Sequence, residues 1–352
     1  MDIHFDHKFL VRTHCATYNH ENYITDALNG FVMQETTFPV VYTIIDDAST
    51  DRTADVIRQF VNENFDLNTS SGYEREMDYG HVTFARHKIN TNCWFAVIYL
   101  KENHYSQRKS KAPYLKEWEN TKYIALCEGD DYWTDPLKLQ KEVDILEADE
   151  SLMAVVTNSS LIDAKGNQLK ARHENVVPNN VEGRYDLRSF MYKVHRYPTA
   201  TVCYRNTHQE EIAKMHRQMA NPYLGDWTLW ICLHLFGDFY YLDEVTSAYR
   251  INPTSVTHTC DRVGRAKAHW TICKSVQEVL PSQYDDIRRS LNNMTWAWLD
   301  LAMAYKHEKR YVKMICCLLI YFVNAPKQFF VLLKKRWRKG KKTPNILKKA
   351  MR

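Results

Sequence analysis

Tyr123-Ile-Ala-Leu-Cys-Glu-Gly-Asp-Asp-Tyr-Trp-Thr-Asp-Pro136 is an apolar run of four or five residues that ends abruptly in three carboxylates, Glu128, Asp130 and Asp131. The run has the length of a buried strand. A core has no use for three acids at the end of such a strand, so they point to a ligand. In open α/β sheets ligands bind outside the carboxyl ends of the strands. Acids gathered on a tight Gly turn make an oxygen site suited to Mg²⁺ or Mn²⁺, metals that commonly arrive with phosphates. A plainer account is a strand-to-helix turn with Asp135 as N-cap and Pro136 at the first helical position. It covers those two residues and leaves the three acids unexplained.

Upstream of this stretch, strand-like and helix-like runs alternate. Phe9 to Ala16 is a short apolar segment, and residues 22–33 carry Tyr23, Ala27 and Phe31 at helical spacing. Val40 to Ile45 is largely β-branched and ends in Asp46-Asp47. Ser49 or Asp51 then caps a helix over about 53–62, with Val56, Ile57 and Phe60 facing inward. Residues 64–78 read as a polar loop, and 81–120 carry no assignable pattern. Downstream come a helix over 136–148, a strand over 152–157 and a hairpin with its turn at Lys165-Gly-Asn167. A helix near 187–194, a strand near 199–204, a helix over 226–236 and strands at 239–242 and 246–251 follow. This alternation predicts an α/β fold with a mostly parallel central sheet flanked by helices. From about residue 261 the pattern is wholly helical, so a helical appendage is expected at the C-terminal side.

The chain has 352 residues, 45% hydrophobic and 25% charged, as in ordinary globular proteins. Its nine cysteines include no Cys-x-x-Cys pair, and Cys15 and Cys127 sit in apolar runs. They read as small core residues in a reducing cytosol, and no spacing suggests zinc. Met1-Asp-Ile-His-Phe-Asp-His-Lys8 lacks the basic flank and apolar stretch of an export signal. The longest apolar run, Met314 to Val323, has ten residues, about half the length of a spanning helix. The net charge of +5 conceals an asymmetry: residues 334–352 hold ten Lys or Arg and no acid. The tail follows Phe329, Phe330, Leu332 and Leu333 and contains Trp337, a mixture that fits an anionic membrane surface better than nucleic acid. No nucleic-acid partner is expected.

Three motifs fall where a parallel sheet places its strand ends: Ala16-Thr17-Tyr18-Asn19, Asp46-Asp47-Ala-Ser-Thr-Asp51 and Glu128-Gly-Asp-Asp131. All three should open onto one face. In order and content they resemble the nucleotide-sugar-dependent glycosyltransferases of family 2, with the fold called GT-A, over roughly residues 9–255. The family's first segment reads Pro-Thr-Tyr-Asn, with Ala16 at its first position here; its second reads Asp-Asp-Gly-Ser-Thr-Asp; its metal-binding "DXD" segment corresponds to residues 128–131. The resemblance implies a GT-A catalytic domain, placed over 1–260, and the residue pattern beyond it reads as a helical extension over 261–325 and a basic amphipathic tail over 326–352. It also implies donor contacts from Ala16, Thr17, Tyr18, Asn19, Asp46 and Asp47. Tyr18 and Asp47 would hold the base, with Asp47 accepting from the uracil N–H of a UDP-sugar. Asp130 and Asp131 would hold the ribose and a Mn²⁺ or Mg²⁺ ion bridging the diphosphate. Glu128, longer than the usual Asp by one methylene, would reach the metal shell through water.

Inverting transfer needs a base opposite the leaving group. Leu224-Gly-Asp-Trp-Thr-Leu-Trp230 resembles the family segment that supplies it, which makes Asp226 the candidate; the competing role for Asp226 is an N-cap. Trp227 and Trp230 can stack on a sugar face or lie in the core. Ala248-Tyr-Arg-Ile-Asn252 resembles the family's Tyr-Arg-x-His segment, with Asn252 where His is common and His258 a possible substitute ligand. Arg250 can pair with a phosphate, or with Asp243 or Glu244. Lys109 or Arg108 can clamp the diphosphate. Trp296, Trp298, Ala302, Ala304 and Tyr305 suggest helices packing on one another as a structural cap.

The activity this implies is metal-dependent, inverting transfer of a sugar from a nucleoside diphosphate sugar to a glycan or lipid-linked acceptor. It would take place in the cytoplasm at the inner face of the plasma membrane. Its rivals are a nucleotidyl- or phosphotransferase on the same platform and a non-catalytic glycan-binding module.

Overall fold

The run Val40-Val-Tyr-Thr-Ile-Ile-Asp46 is buried at every position, as a strand covered on both faces must be. In the computed structural model it lies in the middle of a 13-stranded sheet. The structure describes residues 8–67, 72–174, 176–193, 197–219, 225–252, 261–292, 295–324, 326, 329 and 330. In chain order the elements are β1 (Val11–Thr17), α1 (Ile24–Val32), β2 (Val40–Asp46), α2 (Thr53–Asn64), β3 (Phe65–Asp66), β4 (Tyr73–Met77), β5 (Gly80–His87) and β6 (Cys93–Leu100). There follow a 3₁₀ turn (Ala112–Trp118), β7 (Tyr123–Leu126), β8 (Tyr132–Trp133), α3 (Lys138–Ala148), β9 (Leu152–Asp163), β10 (Gln168–Lys170), β11 (Gly183–Tyr185) and α4 (Leu187–Lys193). β12 (Val202–Arg205), α5 (Gln209–Gln218), α6 (Gly225–His234) and β13 (Asp238–Ile251) come next. α7 (Arg262–Val279), α8 (Asp285–Asn292), α9 (Thr295–His307) and α10 (Tyr311–Asn324) follow.

Two compact units divide the chain: residues 1–214 with 229–255, and residues 215–228 with 256–352. The first holds the sheet, in the order β11-β13-β9-β12-β7-β1-β2-β6-β5-β3. β6, β2, β1 and β7 run parallel, so Thr17, Asp46 and Leu126 finish at the same edge. α1 and α2 cross between these strands. Leu28 and Phe31 of α1 and Ile57 and Val61 of α2 join Tyr42, Phe95 and Trp133 in the principal core. Stacking of Phe31 on Tyr42 at 5.0 Å and the edge of Trp133 at 5.1 Å from Phe31 tie helix, sheet and the acidic turn together. Cys15 and Cys127 are buried in that core, as their apolar neighbours indicate.

Several elements differ from the sequence expectation. The loop expected over 64–78 contains β3 and β4, and β4 is a charged, exposed strand added to β5. Charged residues are how exposed sheet edges are kept from pairing further, and here they hide the strand's period. The unassigned stretch after residue 80 holds β5 and β6, both almost entirely buried. β6 is an unbroken apolar run and shows neither helical nor strand periodicity, while β5 mixes His81, Thr83, Arg86 and His87 with its apolar residues and so lacks a clear apolar period. The two strands expected at 239–242 and 246–251 are one, β13, whose register against β9 shifts between Tyr241 and Ser247. Residues 199–201 form a 3₁₀ turn ahead of β12 rather than its first residues. α3 begins at Lys138, two residues after Pro136, while Asp135 Oδ1 accepts the Leu137 N–H at 2.9 Å.

The second unit is built on α7, α9 and α10. Asp261 caps α7 by accepting from Val263 and Gly264 N–H at 3.0 and 2.8 Å. Ala302, Ala304 and Tyr305 of α9 pack with Cys317 of α10 and with Val263 and Ala266 of α7, and Met314 and Leu318 close the cluster. Among the described residues no helix is long and apolar enough to cross a membrane.

Candidate active site

Three strand ends are laced together by hydrogen bonds from backbone groups that the strands can no longer satisfy. Asp47 N–H donates to Thr17 O at 2.9 Å, and Gly129 N–H to Ala16 O at 3.0 Å. The β1 turn then locks onto the β2 turn. Asn19, at φ 56°, accepts Thr50 N–H on Oδ1 at 2.8 Å, and its own N–H donates to Ser49 Oγ at 2.9 Å. Glu21 N–H donates to Asp51 Oδ2 at 3.1 Å, and Asp51 Oδ1 accepts Thr53 N–H at 2.9 Å, starting α2. Ala16, Thr17, Tyr18, Asn19, Asp46 and Asp47 are thus gathered as the motif order predicts. Tyr18 is left 42% exposed.

Asp46 and Asp47 are both buried, for different purposes. Asp46 accepts from the Ser49 hydroxyl, and burial holds its carboxyl above the usual range. Asp47 accepts the His104 N–H on Oδ1 at 2.8 Å and the Tyr105 N–H on Oδ2 at 3.0 Å, with Lys111 Nζ 3.0 Å from Oδ2. Asn103 Nδ2 adds a bond to the Asp47 carbonyl at 3.0 Å. The segment 103–111 is therefore anchored on Asp47, and the cation it brings is Lys111. Lys109, a candidate clamp, pairs with Glu102 instead, and Arg108 sits at φ 55° in the turn.

At the end of β7 the chain turns through Glu128-Gly129-Asp130-Asp131, with Asp131 N–H donating to Glu128 O at 3.1 Å. A Cβ on Gly129 would come within 2.7 Å of Thr17 Cβ and Oγ1, so only glycine lets the turn lie against the end of β1. Glu128 is exposed, Asp130 half-buried and Asp131 buried. Burial, and then the neighbouring Asp130, push the Asp131 carboxyl well above its ordinary value, against the pull of the Arg250 N–H. Among the described residues no three His, Cys, Asp or Glu side chains already converge as ligands. Two adjacent acids, one buried and resisting ionisation, still suit an added divalent cation whose remaining ligands come from phosphate oxygens and water.

Arg250 holds this turn from β13. Its N–H donates to Asp131 Oδ1 at 2.8 Å, its Nε to Asp130 O at 2.9 Å, and its Nη2 meets Asp26 Oδ2 at 2.7 Å. The guanidinium lies over Tyr23 at 4.7 Å. Its partner among the acids is thus Asp26 of α1; Asp243 pairs with Arg172 and Glu244 with Lys141. Asp26 and Lys111 are the site residues that the sequence did not reveal. Asn252, the residue after β13, is buried, while His258 lies outside the described residues.

Asp226 stands in the first turn of α6, one residue inside the helix rather than at its cap. Its Oδ1 accepts the Trp227 N–H at 2.8 Å, and His216 Nε2 and Thr228 Oγ1 fix the preceding Gly225 carbonyl at 2.9 and 3.0 Å. Trp227 is half-buried, and Trp230 is core, packed against Tyr197 and Phe239.

No protein-family model matches the chain. Uncharacterized proteins of Mycobacterium bovis and of two Mycobacterium tuberculosis strains are 36% identical to it over 131 residues, which is 37% of this chain and 30% of theirs. The chain therefore matches under a third of the length of these curated relatives. Among solved structures, S. aureus TarS 1–349 in complex with UDP superposes with a TM-score of 0.54 at 15% identity, covering 94% of this chain and 91% of that one. The complex of TarS with UDP-GlcNAc gives 0.54 at 14% identity, over 92% of this chain and 83% of the other. At such identity the likeness is one of fold. Taken with four parallel strands, of which β2 and β7 end in acidic turns, it gives the chain the GT-A fold, followed by C-terminal helices.

Proposed function

We propose that the chain is a glycosyltransferase moving a sugar from a nucleoside diphosphate sugar to a hydroxyl of a glycan or lipid-linked acceptor. The observation that carries this reading is the gathering of Tyr18, Asp47 and Asp130-Asp131 at one edge of the parallel strands. The UDP and UDP-GlcNAc complexes of TarS favour a uridine donor. In this reading Tyr18 stacks on the base. Asp47, with three of its roughly four lone-pair sites taken by segment 103–111, offers the remaining one to the base N–H. The segment thereby forms one wall of the base site. Arg250 acts as a positioning residue, because its charge is spent on Asp26 and on the carbonyl of Asp130 rather than on phosphate.

Asp130 and Asp131 would hold a Mn²⁺ or Mg²⁺ ion, with Glu128 reaching it through water. Such an ion, when bound, supplies Lewis-acid neutralisation of the diphosphate. Asp226 is the general base. As the acceptor oxygen bonds to the anomeric carbon, its proton passes to the Asp226 carboxylate, and the carbon–oxygen bond to the diphosphate breaks with the electron pair leaving on the diphosphate. Attack from the face opposite the leaving group inverts the anomeric centre. Work at the inner face of the plasma membrane, with the basic tail against anionic lipid, suits a lipid-linked acceptor.

The Asp226→Asn variant tests the assignment of the base. Transfer should fall by about 10²–10⁴ while UDP affinity stays unchanged. Transfer at the original rate would place the base elsewhere and favour phosphoryl chemistry on the same platform.

A further inference from the structure

A helix that is apolar all round is ordinarily enclosed on every side. α10, Tyr-Val-Lys-Met-Ile-Cys-Cys-Leu-Leu-Ile-Tyr-Phe-Val-Asn, carries a single charge, Lys313, yet it is covered on one side only. Met314, Cys317 and Leu318 pack against α9 and α7, and Tyr321, also buried, lies beside Phe329. Val312, Ile315, Leu319 and Val323 recur at helical spacing along the other side and are 76, 51, 58 and 76% exposed. Beyond the helix, Phe330 is also more than half exposed. The expectation of a purely structural cap accounts for the covered side and not for this stripe.

Charge says what covers it. From residue 309 to 352 the chain has fourteen Lys or Arg and no Asp or Glu, so the apolar stripe lies within an uninterrupted basic segment. An apolar helix face bordered by basic residues is the pattern that seats in the headgroup region of an anionic bilayer, with side chains in the acyl boundary and ammonium groups on the phosphates. A protein partner would need an acidic rim around an apolar groove; a lipid surface supplies both at once. We infer that the exposed stripe of α10, Val312, Ile315, Leu319 and Val323, is a membrane-docking face that inserts into anionic lipid. The inference rests on the membrane placement proposed above for the tail and moves the apolar part of that contact into a folded helix of the second unit.

The test uses the full chain and vesicles of phosphatidylcholine, alone or with about a third phosphatidylglycerol. Wild type should sediment with the anionic vesicles and not with the neutral ones. The triple variant Val312→Ser, Leu319→Ser, Val323→Ser should bind at least about tenfold more weakly, because three apolar side chains lose their burial. These side chains are exposed, so the variant should keep the wild-type melting temperature and donor hydrolysis in lipid-free solution. An environment-sensitive dye on the exposed Cys316, in a Cys260→Ser background, should shift to the blue on anionic vesicles. Undiminished binding by the triple variant, or an unshifted dye, overturns the docking face while leaving tail-driven attraction standing. Failure of wild type to bind anionic vesicles overturns both. A stable dimer in solution that the triple variant dissociates, with no lipid binding, would identify a second copy as the occupant and also overturn the inference.

Discussion

Ala48 holds a left-handed conformation, φ 59°, between Asp47 and Ser49, at a position where the family it resembles has glycine. A Cβ there is strained, and the turn keeps it because Asn19, Ser49, Asp51 and Thr53 fix the backbone on both sides. Ala48→Gly should therefore raise stability by about 1 kcal/mol in a denaturant titration with no loss of donor binding; an unchanged or lower midpoint would contradict the strain. Lys111 poses the opposite case, a residue whose partner is a nearly inaccessible carboxylate. Lys111→Met should cost about 2 kcal/mol of stability and weaken nucleotide binding, since Asp47 and segment 103–111 would lose their shared cation. Retained stability and affinity would show that the two backbone N–H bonds suffice. The acids and Tyr18 were legible in the sequence because each ends an apolar run within a few residues. Asp26 and Lys111 were not, because their partners are brought by the fold: Arg250 and Asp26 are 224 residues apart.

Elements beneath the site carry an unusual pair. Lys138 and Glu142, one turn apart on α3, are wholly buried and bonded at 2.5 Å, with the ammonium 4.8 Å from the Trp133 ring. Burial pushes the Glu142 carboxyl up to about 7, against the attraction of Lys138. The folded protein thus holds a proton here that the unfolded chain releases from its ordinary value of 4.5 upward. The contribution of this carboxyl is fully present below 4.5 and is lost as pH rises towards about 7. Melting of wild type against Glu142→Gln should show the stability difference moving in the variant's favour across that window, and a pH-independent difference would contradict the raised value. At this scale the parallel strands β1, β2 and β7 were legible, because each is a short β-branched or apolar run stopped by polar turn residues. β4 was not, because charges on an exposed edge imitate a loop; β6 was not, because a nearly continuous buried run loses the alternation that marks a strand; and β5 was not, because polar residues such as Thr83 and His87 are buried among its apolar ones.

At the scale of the whole molecule, Tyr18, Asp47, Asp130 and Asp131, proposed above to hold the nucleotide, belong to the first unit, and Asp226, the proposed base, to the second, within the short piece 215–228. That partition was hidden in the sequence, because the units exchange chain within α5 and α6 instead of at a polar linker. The helical C-terminal region was legible from its loss of strand signals after residue 260; its half-uncovered last helix was not, since apolar content alone does not say which side is packed. The central claim is that the turn of residues 128–131, with Tyr18 and Asp47, binds a nucleoside diphosphate through a divalent cation. Calorimetric titration of the full chain with UDP, GDP and dTDP, with and without Mn²⁺, tests it most directly. Binding of at least one of them, strongest for UDP, should require Mn²⁺ and should weaken at least about tenfold in Asp130→Asn and Asp131→Asn. No binding of any nucleotide with Mn²⁺ present, or binding indifferent to both substitutions, would contradict the account.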